Sequence, residues 1–469
     1  MPTVHAFPSL PARPLLVGLA ALAISLALNL AVASSARATC LDEEKLDALP
    51  AMAAPGAASP APTVDPRSLL QQLVGDALAR NHGVGAARLL AEAAEQDVGE
   101  AEASKKPQAM LTGSVSPSLQ TSNGGGGSSS LQARAGITLT QTLYDGGRSD
   151  RLVDWRRQQA EAARLGMLSA REQIALATVS MAFERSRFRM QAVIYGQNVR
   201  KLGCLVQALE TIVSADRGRT SELVQARKQL QQADLQQVQA QSQARQVEAR
   251  MRRVVGDGLP GTDGMATLML GVPELPAVLT AAERSVEISQ LAASARALTE
   301  IARVVEAGNK PQVSWNLGGS ALLSAGGGVT LSSPHSGSVS GGVTLSVPIL
   351  NPAIEYSSQA ARKRAAAADL QRADALEQRR QRIVDVHEQA GAAFERLRRV
   401  GLVLRDSDRL RNFTLQQWQQ MGRRSLFDVL ASETDHYNLR VQYINALHDG
   451  QQMNAMLTSL GNGLSAWLK

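Results

Sequence analysis

The chain repeats itself. Lys106-Pro107-Gln108 opens a strand-like stretch, a Gly-rich loop, a second strand and a very long helix, and Lys310-Pro311-Gln312 opens the same series again. Ile137-Thr138-Leu139 answers Val343-Thr344-Leu345, Ala182-Phe183-Glu184-Arg185 answers Ala393-Phe394-Glu395-Arg396, and Glu222-Leu223-Val224 answers Asp428-Val429-Leu430. The offsets are 206, 211 and 206 residues, so one copy carries a short insertion in its long helix. Internal duplication fixes an architecture before any finer feature does. A unit this long, present twice, is no solenoid. It predicts a β-hairpin and a helical hairpin, then both again.

The strand signal is alternation. In the first hairpin Leu111, Gly113, Val115 and Leu119, then Leu131, Ala133, Ala135, Ile137, Leu139 and Leu143, alternate with Ser, Thr, Gln and Arg. In the second, Val313, Trp315, Leu317, Ala321 and Leu323, then Val339, Val343, Leu345, Val347 and Ile349, alternate mainly with Ser, Thr and Asn. Side chains on a strand alternate faces, so each strand has one apolar and one hydroxyl-rich face. A soluble sandwich alternates too. Runs of about ten or more residues, a Ser/Thr face suited to a watery lumen, and Gly/Ser-rich loops at 121–130 and 326–337 favour a membrane barrel. Four strands are too few, since the smallest membrane barrels have about eight and an open edge in lipid leaves backbone groups without partners. The barrel must be shared between chains.

Long helices make up the larger part of the mass. From Arg148 to about Ala215 and from Pro352 to about Met421, no Pro interrupts the helical pattern after its start. At about 1.5 Å per residue, some seventy residues make a rod of about 100 Å. Turns carrying Gly218 and Gly422 reverse each rod. The first return helix steps by three and four through Leu223, Ala226, Leu230, Ala233, Gln237, Ala240, Ala244, Val247, Met251 and Val254. The second does so through Phe427, Leu430, Thr434, Tyr437, Val441 and Ile444. That spacing predicts coiled-coil seams, and antiparallel rods attached to barrel strands describe a tube leaving a membrane. The fold class expected is an α+β membrane protein: a shared transmembrane β-barrel continued by a long α-helical coiled-coil barrel, internally duplicated.

The remaining features narrow the function. Arg13 precedes an apolar run from Leu15 to Val32, and Ala36-Arg37-Ala38 or Ala31-Val32-Ala33 offers a cleavage site, which reads as an export signal more readily than as a membrane anchor. Cys40 follows the signal, where acylated cysteines sit, but Arg37 stands where such signals carry Leu. Cys204, inside a long helix, reads as a small packing residue. The net charge of +7 comes from Arg and Lys scattered among acidic residues and Gln along helices, which describes a solvated face and no nucleic-acid surface. The six His residues form no metal-ligand pattern. Gly256-Asp257-Gly258-Leu259-Pro260-Gly261 has the spacing of a dinucleotide fingerprint, but it follows a helix and its Pro breaks the helix required next. No hydrolase signature occurs. The expectation is a non-enzyme without cofactor or metal.

At this point the order of elements resembles the TolC-like outer-membrane factors. The strand exits Gln141-Thr142-Leu143-Tyr144-Asp145-Gly146-Gly147 and Val347-Pro348-Ile349-Leu350-Asn351-Pro352 carry the likeness. So does Gly422-Arg423-Arg424-Ser425-Leu426-Phe427-Asp428-Val429-Leu430 at the second hairpin tip, its most specific piece, within a span of roughly residues 67–469. The resemblance implies a homotrimer with twelve strands in one outer-membrane barrel and twelve helices in a periplasmic tunnel. Its partners would be outer-membrane lipid, a periplasmic adaptor (membrane fusion protein) and an inner-membrane ABC exporter or proton-driven pump. It also implies a gate. Asp428 matches an acidic residue facing the constriction, although the family's second Asp, three residues on, is Ala431 here. Arg424 matches a tip Arg that bonds an acidic group on a neighbouring helix, and Glu222 falls where that partner is expected. From the residues alone, acidic groups in a first helical turn are also explained by the helix dipole.

The expected organisation is a signal peptide (1–38), a Pro/Ala-rich tail (39–66), repeat 1 (67–255, β-hairpin 109–144, helical hairpin 148–255), a linker (256–279) and repeat 2 (280–469, β-hairpin 313–350, helical hairpin 352–468). Leu139, Val343 and Leu345 are expected to face lipid, and Thr138, Thr344 and Ser346 the lumen; a charge at Leu345 would cost about 2–4 kcal/mol if that residue lies at mid-membrane. The leading function is the outer channel of a tripartite type I protein secretion system, of the CyaE-like or TolC-like branch. Multidrug efflux is the nearest alternative. A periplasmic adaptor or a structural coiled-coil protein is the alternative of another class, disfavoured by two hairpins and four amphipathic strands.

Overall fold

The computed structural model describes residues 65–121, 127–326, 336–421 and 424–469. The signal, the tail with Cys40, both strand-loop tips and Gly422 lie outside the described residues. In chain order the elements are α1 (Pro66–Arg80), α2 (His82–Ala103), β1 (Gln108–Thr121), β2 (Gly127–Tyr144), α3 (Arg148–Ala215) and α4 (Thr220–Val255). Then come α5 (Leu275–Ala282), α6 (Val286–Ala307), β3 (Gln312–Gly326), β4 (Ser336–Ser346), α7 (Pro352–Gln416), α8 (Leu426–Leu460) and α9 (Leu464–Leu468). Short helix, long helix, hairpin and helical hairpin therefore occur twice. The segment expected as linker holds a 3₁₀ turn at Met265–Thr267 and the start of α5, whose Pro276 sits in the first turn where a missing N–H costs nothing.

The four strands form one antiparallel sheet in the order β1-β2-β3-β4, so β2 and β3 join the two repeats and β1 and β4 are its edges. The register aligns the apolar sets across all four strands. Leu111 lies opposite Ile137, Ile137 opposite Gly319, and Gly319 opposite Val339. Thr112, Thr138, Asn316 and Thr344 belong to the other face. Two expectations need correction. A bulge between Thr142 and Tyr144 leaves Leu143 unpaired and puts Tyr144, not Leu143, opposite Val313. Strand β4 ends at Ser346, so Val347 and Ile349 are not strand residues; Pro348 has no N–H to continue the ladder.

The strands enter the helices through a tight turn. Gly146 and Gly147 adopt φ +67° and +84°, a left-handed conformation that only Gly takes without strain. Asp145 accepts bonds from Gly147 N (3.1 Å) and Ser149 N (2.7 Å). Burial works against its charge, but these bonds outweigh it and hold the carboxyl below its ordinary range. Lys310 donates to Gly146 O (3.1 Å) and covers the turn, where a Cβ on Gly146 would meet its stem at 2.5 Å. The shared Lys-Pro-Gln motif of repeat 2 thus fastens the strand exit of repeat 1.

The 68-residue α3 packs along α4, α6, α2, α8 and α1, and the 65-residue α7 along α8 and α6. Seven of the ten expected α4 seam residues, Leu223, Ala226, Ala233, Ala240, Ala244, Val247 and Met251, are buried; Leu230, Gln237 and Val254 are half-buried, and Val255 is buried next to the last of them. On α8, Leu430, Tyr437, Val441 and Ile444 are buried but Phe427 is exposed; Leu426 and Val429 fill the seam instead. Gly450 lies so close to α7 that an added Cβ would stand 2.8 Å from the Phe394 ring. At the other end of the linker, Gln451 Nε2 donates to Met265 O (2.8 Å) and Leu268 O (2.7 Å), and Asn454 Nδ2 to Met269 O (2.7 Å) and Gly271 O (3.0 Å). Two buried amides therefore supply the partners that linker carbonyls inside a protein require. No described helix is long and apolar enough to cross a membrane.

Candidate functional site

Both helical hairpins bring their tips to one place. Leu202, Leu205 and Leu209 of α3, Leu223 and Ala226 of α4, Leu415 of α7, and Leu426, Val429 and Leu430 of α8 form a single buried cluster. The two expected acidic residues stand above it in equivalent positions, each third in its helix: Glu222 in α4 and Asp428 in α8.

Their surroundings differ. Asp428 closes a reciprocal cap on α8: Ser425 N donates to its Oδ2 (3.1 Å), and Asp428 N donates back to Ser425 Oγ (3.3 Å). The carboxylate remains exposed, so capping and facing solvent coexist in one side chain. Repeat 1 has Arg219 at the capping position, with no side-chain cap, and Glu222 keeps a buried Oε2 without a hydrogen-bond partner. Arg424 is exposed and donates from Nε to Gln417 Oε1 (3.3 Å). Gln417 opens a π-helical segment, Gln417–Met421, that carries α7 into the turn. Among the described residues no hydrogen bond joins Arg424 to Glu222 within one chain. The structure gathers the three at one end of the helices without pairing them.

One feature next to the tip has no signature in the sequence. Glu433 on α8 is fully buried, 3.5 Å from the nearly buried Arg411 of α7, which also bonds Asp408 (2.9 Å). His436, one turn further, is pushed down to about 3, first by burial and then by the charges of Arg411, Arg440 and Lys201. His448 is pushed down to about 4, again chiefly by burial. Both are therefore neutral at ordinary pH. Between those values and about 6.5, the unfolded chain binds protons that the folded chain does not. Stability should rise with pH through that window and be lost as pH falls, with a slope of up to about 1.4 kcal/mol per unit for each histidine. Urea unfolding at pH 7 and pH 5 measures this, and His436→Gln should flatten the difference.

Residues 73–257 match the outer membrane efflux protein family. Solved structures match across nearly the whole architecture. A crystal structure of CusC has a TM-score of 0.75 at 17% identity, covering 84% of this chain and 92% of that one. The outer membrane protein VceC of Vibrio cholerae gives 0.70 at 17% identity, covering 84% and 96%. The open state of the Neisseria gonorrhoeae MtrE outer membrane channel gives 0.67 at 18%, covering 85% and 90%. The chain as a whole has the fold of these solved outer-membrane channels. No curated protein matches the sequence.

Proposed function

We propose that three copies of this chain form an outer-membrane channel-tunnel, the exit duct of a tripartite export machine. The observation that carries this is the sheet: four strands, one continuous apolar face and two unpaired edges, β1 and β4. Edges of this kind cannot stand in lipid; joining β1 of one copy to β4 of the next removes them. Leu139, Val343 and Leu345 then face lipid, with Trp315 and Tyr144 near the helical end of the sheet as an aromatic girdle. Thr138, Thr344 and Ser346 line the lumen. Asp428, Arg424 and Glu222 form the gate at the far end. A periplasmic adaptor and an inner-membrane ABC exporter or proton-driven pump would deliver cargo. The purified protein in planar bilayers should show discrete conductance steps; insertion without steps would contradict the channel.

For cargo we propose secreted polypeptide, because the Arg37 context of Cys40 does not fit a lipid-modified efflux channel. The match of repeat 1 to an efflux family favours small toxic molecules as the second reading. Deleting the gene separates them. Loss of a secreted polypeptide from the medium supports the first, and increased sensitivity to small toxic compounds alone supports the second.

A further inference from the structure

Across both β-hairpins, residues 108–144 and 312–350, Arg134 is the only Lys, Arg, Asp or Glu. It is the eighth of the 18 residues of β2, well inside the sheet. The register sets it opposite Ser114 of β1 and Leu322 of β3, on the face that carries Thr112, Ser116, Thr138, Asn316 and Ser320. Its side chain is exposed. A guanidinium on the lipid face of a barrel is strongly disfavoured at mid-membrane, and the register puts this one on the other face. No carboxylate in either hairpin is present to neutralise it.

We infer that Arg134, repeated in the trimer, forms an anion-binding ring in the barrel lumen that engages the phosphate, sulfonate or carboxylate groups of solutes at the outer exit. The inference rests on the channel reading above. A guanidinium is always charged and offers a fork of donors matched to such oxyanions. Its field is screened within about 10 Å at 0.1 M salt. The ring therefore acts on multivalent groups at close range and does not set overall ion selectivity, which belongs to the narrow tip. The tunnel would carry two stations of opposite sign, acidic at Asp428 and basic at Arg134.

Planar bilayers of neutral phosphatidylcholine, which exclude anionic lipid as the partner, provide the test. Tripolyphosphate added on the barrel side should reduce the wild-type current at concentrations about tenfold lower than Arg134→Gln requires. Arg134→Lys should retain part of the effect, and raising the salt should weaken it. Equal block of wild type and Arg134→Gln would overturn the ring. So would an Arg134→Gln barrel that is more heat-resistant than wild type with its block unchanged, because that places Arg134 against lipid. Absence of conductance steps in every variant would instead remove the channel reading, and the ring with it.

Discussion

Ile137→Arg should prevent stable barrel assembly, while Thr138→Arg at the adjacent position leaves it intact. Ile137 belongs to the row Leu111–Ile137–Gly319–Val339, four residues along β3 from the proposed aromatic girdle at Trp315. At 3.3 Å or so per residue and a tilt of about 45°, that row lies near the middle of an apolar band about 25 Å tall. A lipid-facing Arg there costs about 2–4 kcal/mol, and in the proposed trimer the cost would be imposed three times in one assembly. Leu345 is a weaker test than its sequence suggests. It pairs with Val313 one residue from the end of β4, where the same change costs only about 0–1 kcal/mol. Heat-sensitive gel migration of the outer-membrane fraction reads all three variants. Equal damage at 137 and 138 would mean that the sheet is not a membrane barrel.

Arg424→Ser should raise the resting conductance, and Asp428 substitutions should change selectivity instead. Arg424 is held by Gln417 across the irregular end of α7, and a charge-assisted bond from such a group to a neighbouring helix in the trimer would lock the tip. In the proposed trimer, three Asp428 carboxylates around a narrow pore would favour cations and bind multivalent ones. Because Asp428 also caps α8, its two roles must be separated. Asp428→Ala removes the charge together with the carboxylate's half of the capping box, while Ser425, the N-cap, still accepts from the backbone N–H of residue 428. Asp428→Asn retains an acceptor for the cap and removes only the charge. Both should weaken block by polyvalent cations, and only Ala should loosen the tip. Single-channel recording can follow all three variants; unchanged conductance in Arg424→Ser with an opened pore in Asp428→Asn would reverse the assigned roles.

The fold was legible where side-chain periodicity carries the information. Alternation placed the apolar faces of β1 to β4, and three-four spacing placed the Ala-rich α4 seam, because those periods follow from backbone geometry alone. The failures lie where local chemistry overrides period. Pro348 ends β4 early, and the bulge before Tyr144 exchanges Leu143 for an aromatic. Glu433 and His436 are polar residues in buried positions, so a hydrophobic pattern passes over them. Gln451 and Asn454 matter for carbonyls some 183–186 residues away, a relation that no local pattern shows. At the tip, the positions of Asp428 and Arg424 were readable as a motif. The cap shared with Ser425 and the bond to Gln417 needed the geometry of the turn.

We propose that this sheet closes only with other copies of the same chain. Native mass measurement in mild detergent tests it most directly. A single species of three times the mass of the mature chain is expected; a stable, folded monomer would contradict the shared barrel.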